Sequence, residues 1–205
     1  MKTLISIDPG MSTGISVGTY SDTEPYKLTH FFQIEGGLEG FLKNVRHYDD
    51  TDDFSSGGTC FSVESQTGEW RDGCCLWFGD ILGQDEIESP VFLVEKFTAR
   101  GGGQGFALRT EHLEPLRIEG AMLAMGLKPH WVSPPQQYFA GGEGKAKKKQ
   151  AQHKWLKEKG LYVTGKMVDS SDADDVRSSI AHAVGWLMRQ KHRPTINYYF
   201  KENND

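Results

Sequence analysis

Val91, Phe92, Leu93 and Val94 make four consecutive apolar positions, and the run ends in Glu95. A strand of that kind has no polar side to turn to water, so it belongs in the middle of a sheet with both faces covered. The surrounding stretch SPVFLVEKF (89–97) therefore reads as a central strand with a carboxylate at its end. The N-terminus repeats the pattern. Lys2–Asp8 is rich in strand formers, Leu4, Ile5 and Ile7, and ends in Asp8 before Pro9-Gly10 stops it. Taken alone, Asp8 in Asp-Pro-Gly reads as a turn residue.

The order of elements gives the fold class. Residues 2–8, 14–20 and 27–34 read as three successive strands, the start of an antiparallel meander. A short helix follows at 37–48, with Leu38, Phe41, Leu42 and Val45 on one face. After the strand ending at Glu95 come a glycine-rich stretch (98–110), a helix (111–126) with the stripe Leu113, Leu116, Gly120, Leu123 and Leu127, and a short strand (128–134). Pro115 is tolerable only in that helix's first turn. A basic helix (142–160), a connector with a short extended piece, and a last helix (172–192) complete the order. Val176, Ile180, Ala183, Val184 and Leu187 form the last helix's buried face. This is an α/β chain. We expect one domain over 1–193 with an insertion at about 49–89, and a frayed tail over 194–205 in which Tyr198, Tyr199 and Phe200 dock.

Charge is distributed unevenly. The formal net charge is −5, which does not mark a nucleic-acid binder, yet residues 49–90 hold eleven acids against one base, Arg71, and 143–168 hold eight lysines against two glutamates. Such separation implies a polarised surface. Cys60, Cys74 and Cys75 fit neither a disulfide framework nor a zinc pattern and read as reduced structural cysteines of a cytoplasmic protein. No apolar run is long enough to span a bilayer, and the N-terminus enters a strand without a signal peptide, so no membrane partner is expected.

Further carboxylates gather at the start of the last helix. Asp172 and Asp175, three apart, share one helix face a turn apart, with Asp174 turned elsewhere. The same acids suit a helix N-terminus, where they complement the dipole, with Arg177 as a salt-bridge partner. Acids at two strand ends and a helix start also make a rigid platform for metal ions. Mg²⁺ prefers hard oxygen ligands, and a pair of such ions suits phosphodiester cleavage.

Three stretches, IDPGMSTGISVG, VFLVEKF and DADDVRSSIAHAVGWL, resemble in this order the motifs of the RuvC family of Holliday-junction resolvases, most closely members encoded by bacteriophages. The resemblance implies a ribonuclease H-like fold: a mixed five-stranded sheet, a three-strand antiparallel meander plus two parallel strands, flanked by helices. It also implies a catalytic, metal-binding set of Asp8, Glu95, Asp172 and Asp175 holding two Mg²⁺ ions, with Mn²⁺ as a substitute. Glu64, which ends the short run FSVE, is a rival for Glu95, and Asp174 offers an alternative pairing with Asp172. VFLVE is the better buried strand, and the helix–strand–helix order fits only from there.

The implied function is a structure-selective endonuclease that cuts Holliday junctions and other branched DNA in recombination, replication, repair or phage DNA maturation, in the host cytoplasm if phage-encoded. Another ribonuclease H-like nuclease, acting on flaps, RNA–DNA hybrids or structured RNA, is the alternative. An actin-like kinase, whose first motif also reads D-x-G-x-T, needs a duplicated domain, for which 205 residues are too few. For DNA binding, Lys145, Lys147, Lys148 and Lys149 form a basic block suited to phosphates, and Arg100 and Arg109 flank the glycine run. Phe97 and Phe106 are candidates for wedging into an opened junction. A four-way junction is nearly two-fold symmetric, so paired cutting calls for a homodimer, with helix 111–126 as the expected interface.

Overall fold

The structure is a computed structural model and describes residues 1–45, 61–64, 70–72, 90–97, 110–133, 145–165 and 174–200. Strands β1 (Lys2–Asp8), β2 (Ser12–Tyr20) and β3 (Lys27–Glu35) form an antiparallel meander, as their alternating pattern predicts. On the other side of β1, β6 (Val91–Glu95) and β7 (His130–Val132) pair parallel to it and to each other. The sheet order is β3-β2-β1-β6-β7, the expected mixed five-stranded sheet of a three-strand antiparallel meander plus two parallel strands.

Two cores lie on the two faces of this sheet, because successive strand residues point in opposite directions. Leu4, Leu93 and Val132 face helices α3 (Lys145–Glu158) and α4 (Asp174–Arg189), where they meet Leu156, Val176, Ile180 and Val184. Ile5, Ile7, Phe92 and Val94 face helices α1 (Gly37–Val45) and α2 (Thr110–Ala124), meeting Phe41, Ile118 and Met122. Phe92, Leu93 and Val94 are all buried, which is the two-sided burial that the apolar run demands. Each such side chain contributes roughly 1.5–3 kcal/mol.

Helix α2 shows a different face from the one its sequence stripe predicts. Glu114, Ile118 and Met122 are buried, whereas Leu116 and Leu123 are 46% and 55% exposed. The reason is a cap. Glu114 Oε2 accepts a hydrogen bond from Leu38 N at the start of α1 (2.7 Å), which satisfies a free helix N–H with a carboxylate and turns that side of α2 inward. Gly37 adopts φ 58°, and a Cβ there would lie 2.5 Å from Glu114 Oε2, so only glycine allows the approach. Pro115 also sits beyond the first turn of α2, not within it.

Two further differences concern short pieces. Strand β4 (Phe61–Glu64) pairs antiparallel with β5 (Trp70–Asp72) and with β8 (Val163–Gly165), the extended piece of the connector, in a second, three-stranded sheet. The expected frayed tail begins instead as a helix, α5 (Arg193–Tyr199). Its N-cap is His192, whose ring accepts from Thr195 N, and Pro194 in the first turn has no N–H that needs a partner. Tyr199 Oη donates to Tyr26 O (2.9 Å), and the Phe200 ring stacks on Trp155, while Tyr198 stays exposed. No helix among the described residues is long and apolar enough to cross a membrane.

Candidate metal centre

Strand register brings the first two carboxylates together. Ile7 lies opposite Val94 in the parallel β1–β6 ladder, so the next residues, Asp8 and Glu95, end neighbouring strands side by side. Glu64 ends β4, which belongs to the other sheet.

Helix α4 supplies the rest from one face. Asp175, Ser178 and His182 are spaced by three and four residues and therefore line up along the helix. Its first turn lies directly on β2 at Gly14, the residue paired with Asp8 in the β1–β2 ladder. A Cβ at Gly14 would fall 2.0 Å from the Asp175 carbonyl carbon, so the missing side chain is what lets the helix start reach the strand ends. Gln33 Nε2 donates to Asp175 Oδ2 (3.4 Å), and Ser178 hydrogen-bonds Asp8. His182, fully buried, places Nε2 2.5 Å from Glu95 Oε2. One ligand atom each from Asp8, Glu95 and His182 lies within 4.8 Å of the others.

The acids strain one another electrostatically. Burial, then the charges of Glu95 and Asp175, push the Asp8 carboxyl well above the usual carboxylate range, against the opposing pull of Ser178 and Lys149. Burial likewise pushes Asp175 up to about 6, with Asp174 and Glu35 adding to the rise and Ser12 and Lys149 opposing it. Such crowding is stable when a cation neutralises it. The oxygen donors of Asp8 and Glu95 at neighbouring strand ends, with Asp175 close enough to raise the Asp8 carboxyl, fit a hard divalent ion of the Mg²⁺ class.

Asp174 stands apart from this group. Burial would raise its pKa, but Lys149, His153 and Arg177 hold it below the usual value. Lys149 Nζ is 2.5 Å and Arg177 Nη1 3.0 Å from its carboxylate. Arg177 is itself buried, donating Nε–H to Val163 O and stacking on Tyr162. Asp174 thus ties α4 to α3 and β8, and Arg177 pairs with it and not with Asp175.

The remaining predicted residues are placed only in part. Asp172, Arg100, Arg109, Phe106, Cys60, Cys74 and Cys75 lie outside the described residues, as do most of 49–89 and all of 201–205. Lys145, Lys147 and Lys148 open α3, with side chains likewise outside the description, and Lys149 follows them, half-exposed beside Asp174. Phe97 is partly buried just after β6, and its N–H points to Glu119 Oε1 at 3.5 Å. His182 was missed by the sequence reading. The available signal was its position seven residues after Asp175, two turns along the same helix face.

No protein-family model and no curated protein matches the sequence. Among solved structures, the chain is similar to Thermus thermophilus RuvC in complex with a Holliday junction substrate. Identity is 14% over 95% of this chain and 98% of that one, with a TM-score of 0.49. Another Thermus thermophilus RuvC structure gives 13% identity over 93% and 97%, with a TM-score of 0.45. At these values the likeness says nothing of activity.

Proposed function

We propose that this chain is a divalent-metal-dependent endonuclease that cuts branched DNA, with four-way junctions as its main substrate. One observation supports the reading above the others: Asp8 and Glu95 stand side by side at the ends of adjacent parallel strands, and the contact at Gly14 lays the start of α4, which carries Asp175, against β2 beside Asp8. The preference for branched DNA, and a setting in recombination, replication or phage DNA maturation in the cytoplasm, rest on the three motifs' resemblance to phage-encoded RuvC-like enzymes.

Asp8, Glu95 and Asp175, with Asp172, would hold two Mg²⁺ ions, and Mn²⁺ would substitute. When bound, such ions activate a water and stabilise the leaving oxygen. The chain's own part is to fix those carboxylates before the substrate arrives and to guide the phosphates. Lys145, Lys147, Lys148 and Lys149 suit the second task, as do Arg100 and Arg109, with Phe97 and Phe106 as stacking groups at the opened strands. Binding of this kind weakens steeply with salt.

The test is cleavage of a synthetic four-way junction beside flaps and RNA–DNA hybrids, with Mg²⁺ or EDTA. Asp8→Asn and Glu95→Gln should each abolish cutting while leaving junction binding within about threefold, since neither removes a phosphate-binding cation. Cutting in EDTA, or full activity in Glu95→Gln with none in Glu64→Gln, would overturn the assignment. Preferential cutting of hybrids would favour a ribonuclease H-type enzyme.

A further inference from the structure

We propose that His182 is a positioning residue of the metal centre: its Nε2–H holds one oxygen of Glu95 and leaves the other free for the cation. The inference rests on the reading of Asp8 and Glu95 as cation ligands.

The His182 ring is 0% exposed, and Nε2 lies 2.5 Å from Glu95 Oε2. Two lone pairs do not approach that closely without a proton between them. With Glu95 ionised to bind a cation, that proton is on Nε2, and the contact is a short charge-assisted hydrogen bond. The other nitrogen, Nδ1, is buried and hydrogen-bonds to no group among the described residues, so the ring's contact with Glu95 is its sole polar engagement there.

Direct ligation fits less well. A nitrogen and an oxygen that share one octahedral ion, each about 2.1 Å from it, stand about 3 Å apart. The observed separation is that of a hydrogen bond, and the proton that makes it blocks the nitrogen lone pair. The ring is also sealed in the interior, whereas the Glu95 side chain is 27% exposed and so open to a hydrated ion.

The tether has an evident use. Glu95 is the last residue of β6, and its long side chain would otherwise sample several rotamers. Among the described residues, helix α4 therefore serves all three carboxylates from one face. It contributes Asp175 itself, holds Asp8 through Ser178 and holds Glu95 through His182. Partners of this kind fix ligand orientation, and their loss typically lowers metal affinity about 10–100-fold.

The experiment titrates the purified protein with Mn²⁺ alone, by calorimetry and by the EPR signal of the free ion, so that DNA cutting plays no part. His182→Leu should weaken Mn²⁺ binding at least about tenfold, and His182→Gln, which keeps an N–H, should recover most of it. In a Glu95→Gln background, His182→Leu should cost no more than about twofold, because the histidine acts through Glu95. Pulsed EPR of the wild-type Mn²⁺ complex should show no directly bonded nitrogen. His182→Met is run alongside, so that a folding defect in the leucine variant does not decide the outcome. Wild-type affinity in folded His182→Leu or His182→Met overturns the proposal. So does an equal loss in the Glu95→Gln background, which marks mere packing, or a nitrogen ligand in the wild-type spectrum. A wild-type protein that binds no Mn²⁺ removes the metal reading itself and this inference with it.

Discussion

Asp175 keeps its proton to about pH 6, against 3.8 for the free side chain, chiefly because it is buried. Its folded state therefore holds a proton that the unfolded chain gives up. The contribution of Asp175 to native stability is greatest below the unfolded value and is lost as pH rises from about 4 through about 6. A shift of this size corresponds to roughly 2–3 kcal/mol. Asp8, raised for the same reason and by its acidic neighbours, acts in the same direction. In EDTA, Asp175→Asn should thus melt above the wild type at pH 7 by several degrees, and the gap should close towards pH 4. A gap that does not change with pH would remove this explanation. Adding Mg²⁺ at pH 7 should raise the wild-type melting temperature and leave the variant's nearly unchanged. At this scale the places of Asp8, Glu95 and Asp175 in the fold were legible because each lies at the end or the start of a patterned element, while Asp172 lies outside the described residues. His182 was not, because a histidine inside a helix carries no mark of burial until the helix is laid against the sheet. Asp174 is adjacent in sequence to Asp175 yet faces Lys149 and Arg177, a separation that the 100° step between helix neighbours makes natural.

Gly14 decides where helix α4 sits. With the Asp175 carbonyl carbon 2.0 Å from where a Cβ would lie, Gly14→Ala forces either the helix or the strand to move. Backbone is the obstacle, so no side-chain rotamer relieves it. We expect a loss of about 1–3 kcal/mol in urea unfolding and a larger fractional loss of Mn²⁺ affinity, since Asp175, Ser178 and His182 all move with the helix. An alanine variant that binds Mn²⁺ like the wild type would show that the helix start does not set the centre. The strands were readable from the sequence because burial in a sheet imposes a two-residue alternation or an unbroken apolar run, and β1, β2, β3 and β6 show one or the other. Helix α2 misled because apolar residues occur on two of its faces. The outcome turned on Glu114, a carboxylate that earns burial by capping α1, which no apolar pattern can announce. Helix α5 was missed for a related reason: Pro194 ends a preceding helix and opens a following one equally well, and only the His192 cap tells which.

The exposed face of α2 bears on the expected homodimer. Leu116, Gly120 and Leu123 follow one another at helical spacing on the solvent side, and Met125 beyond them is also exposed. Gly120 in the middle of an exposed helix costs about 0.5–1 kcal/mol relative to alanine. A Cβ there would meet nothing within 4 Å, so packing among the described residues gives no reason for it. A small residue between two leucines is what close approach of another body requires, and the two-fold symmetry of a four-way junction makes a second copy the occupant we propose. On that proposal paired incision would depend on the stripe, whereas a single incision would depend only on one metal centre. Leu116→Glu combined with Leu123→Glu should shift the protein to monomer in sedimentation velocity at micromolar concentration. On a plasmid-borne cruciform the double variant should accumulate nicked circles in place of linear product, with Mn²⁺ affinity unchanged, because neither leucine touches the centre. A dimer that survives both substitutions would move the interface to another face. A wild-type monomer that still linearises the cruciform would show that the two cuts are made by successive, independent binding.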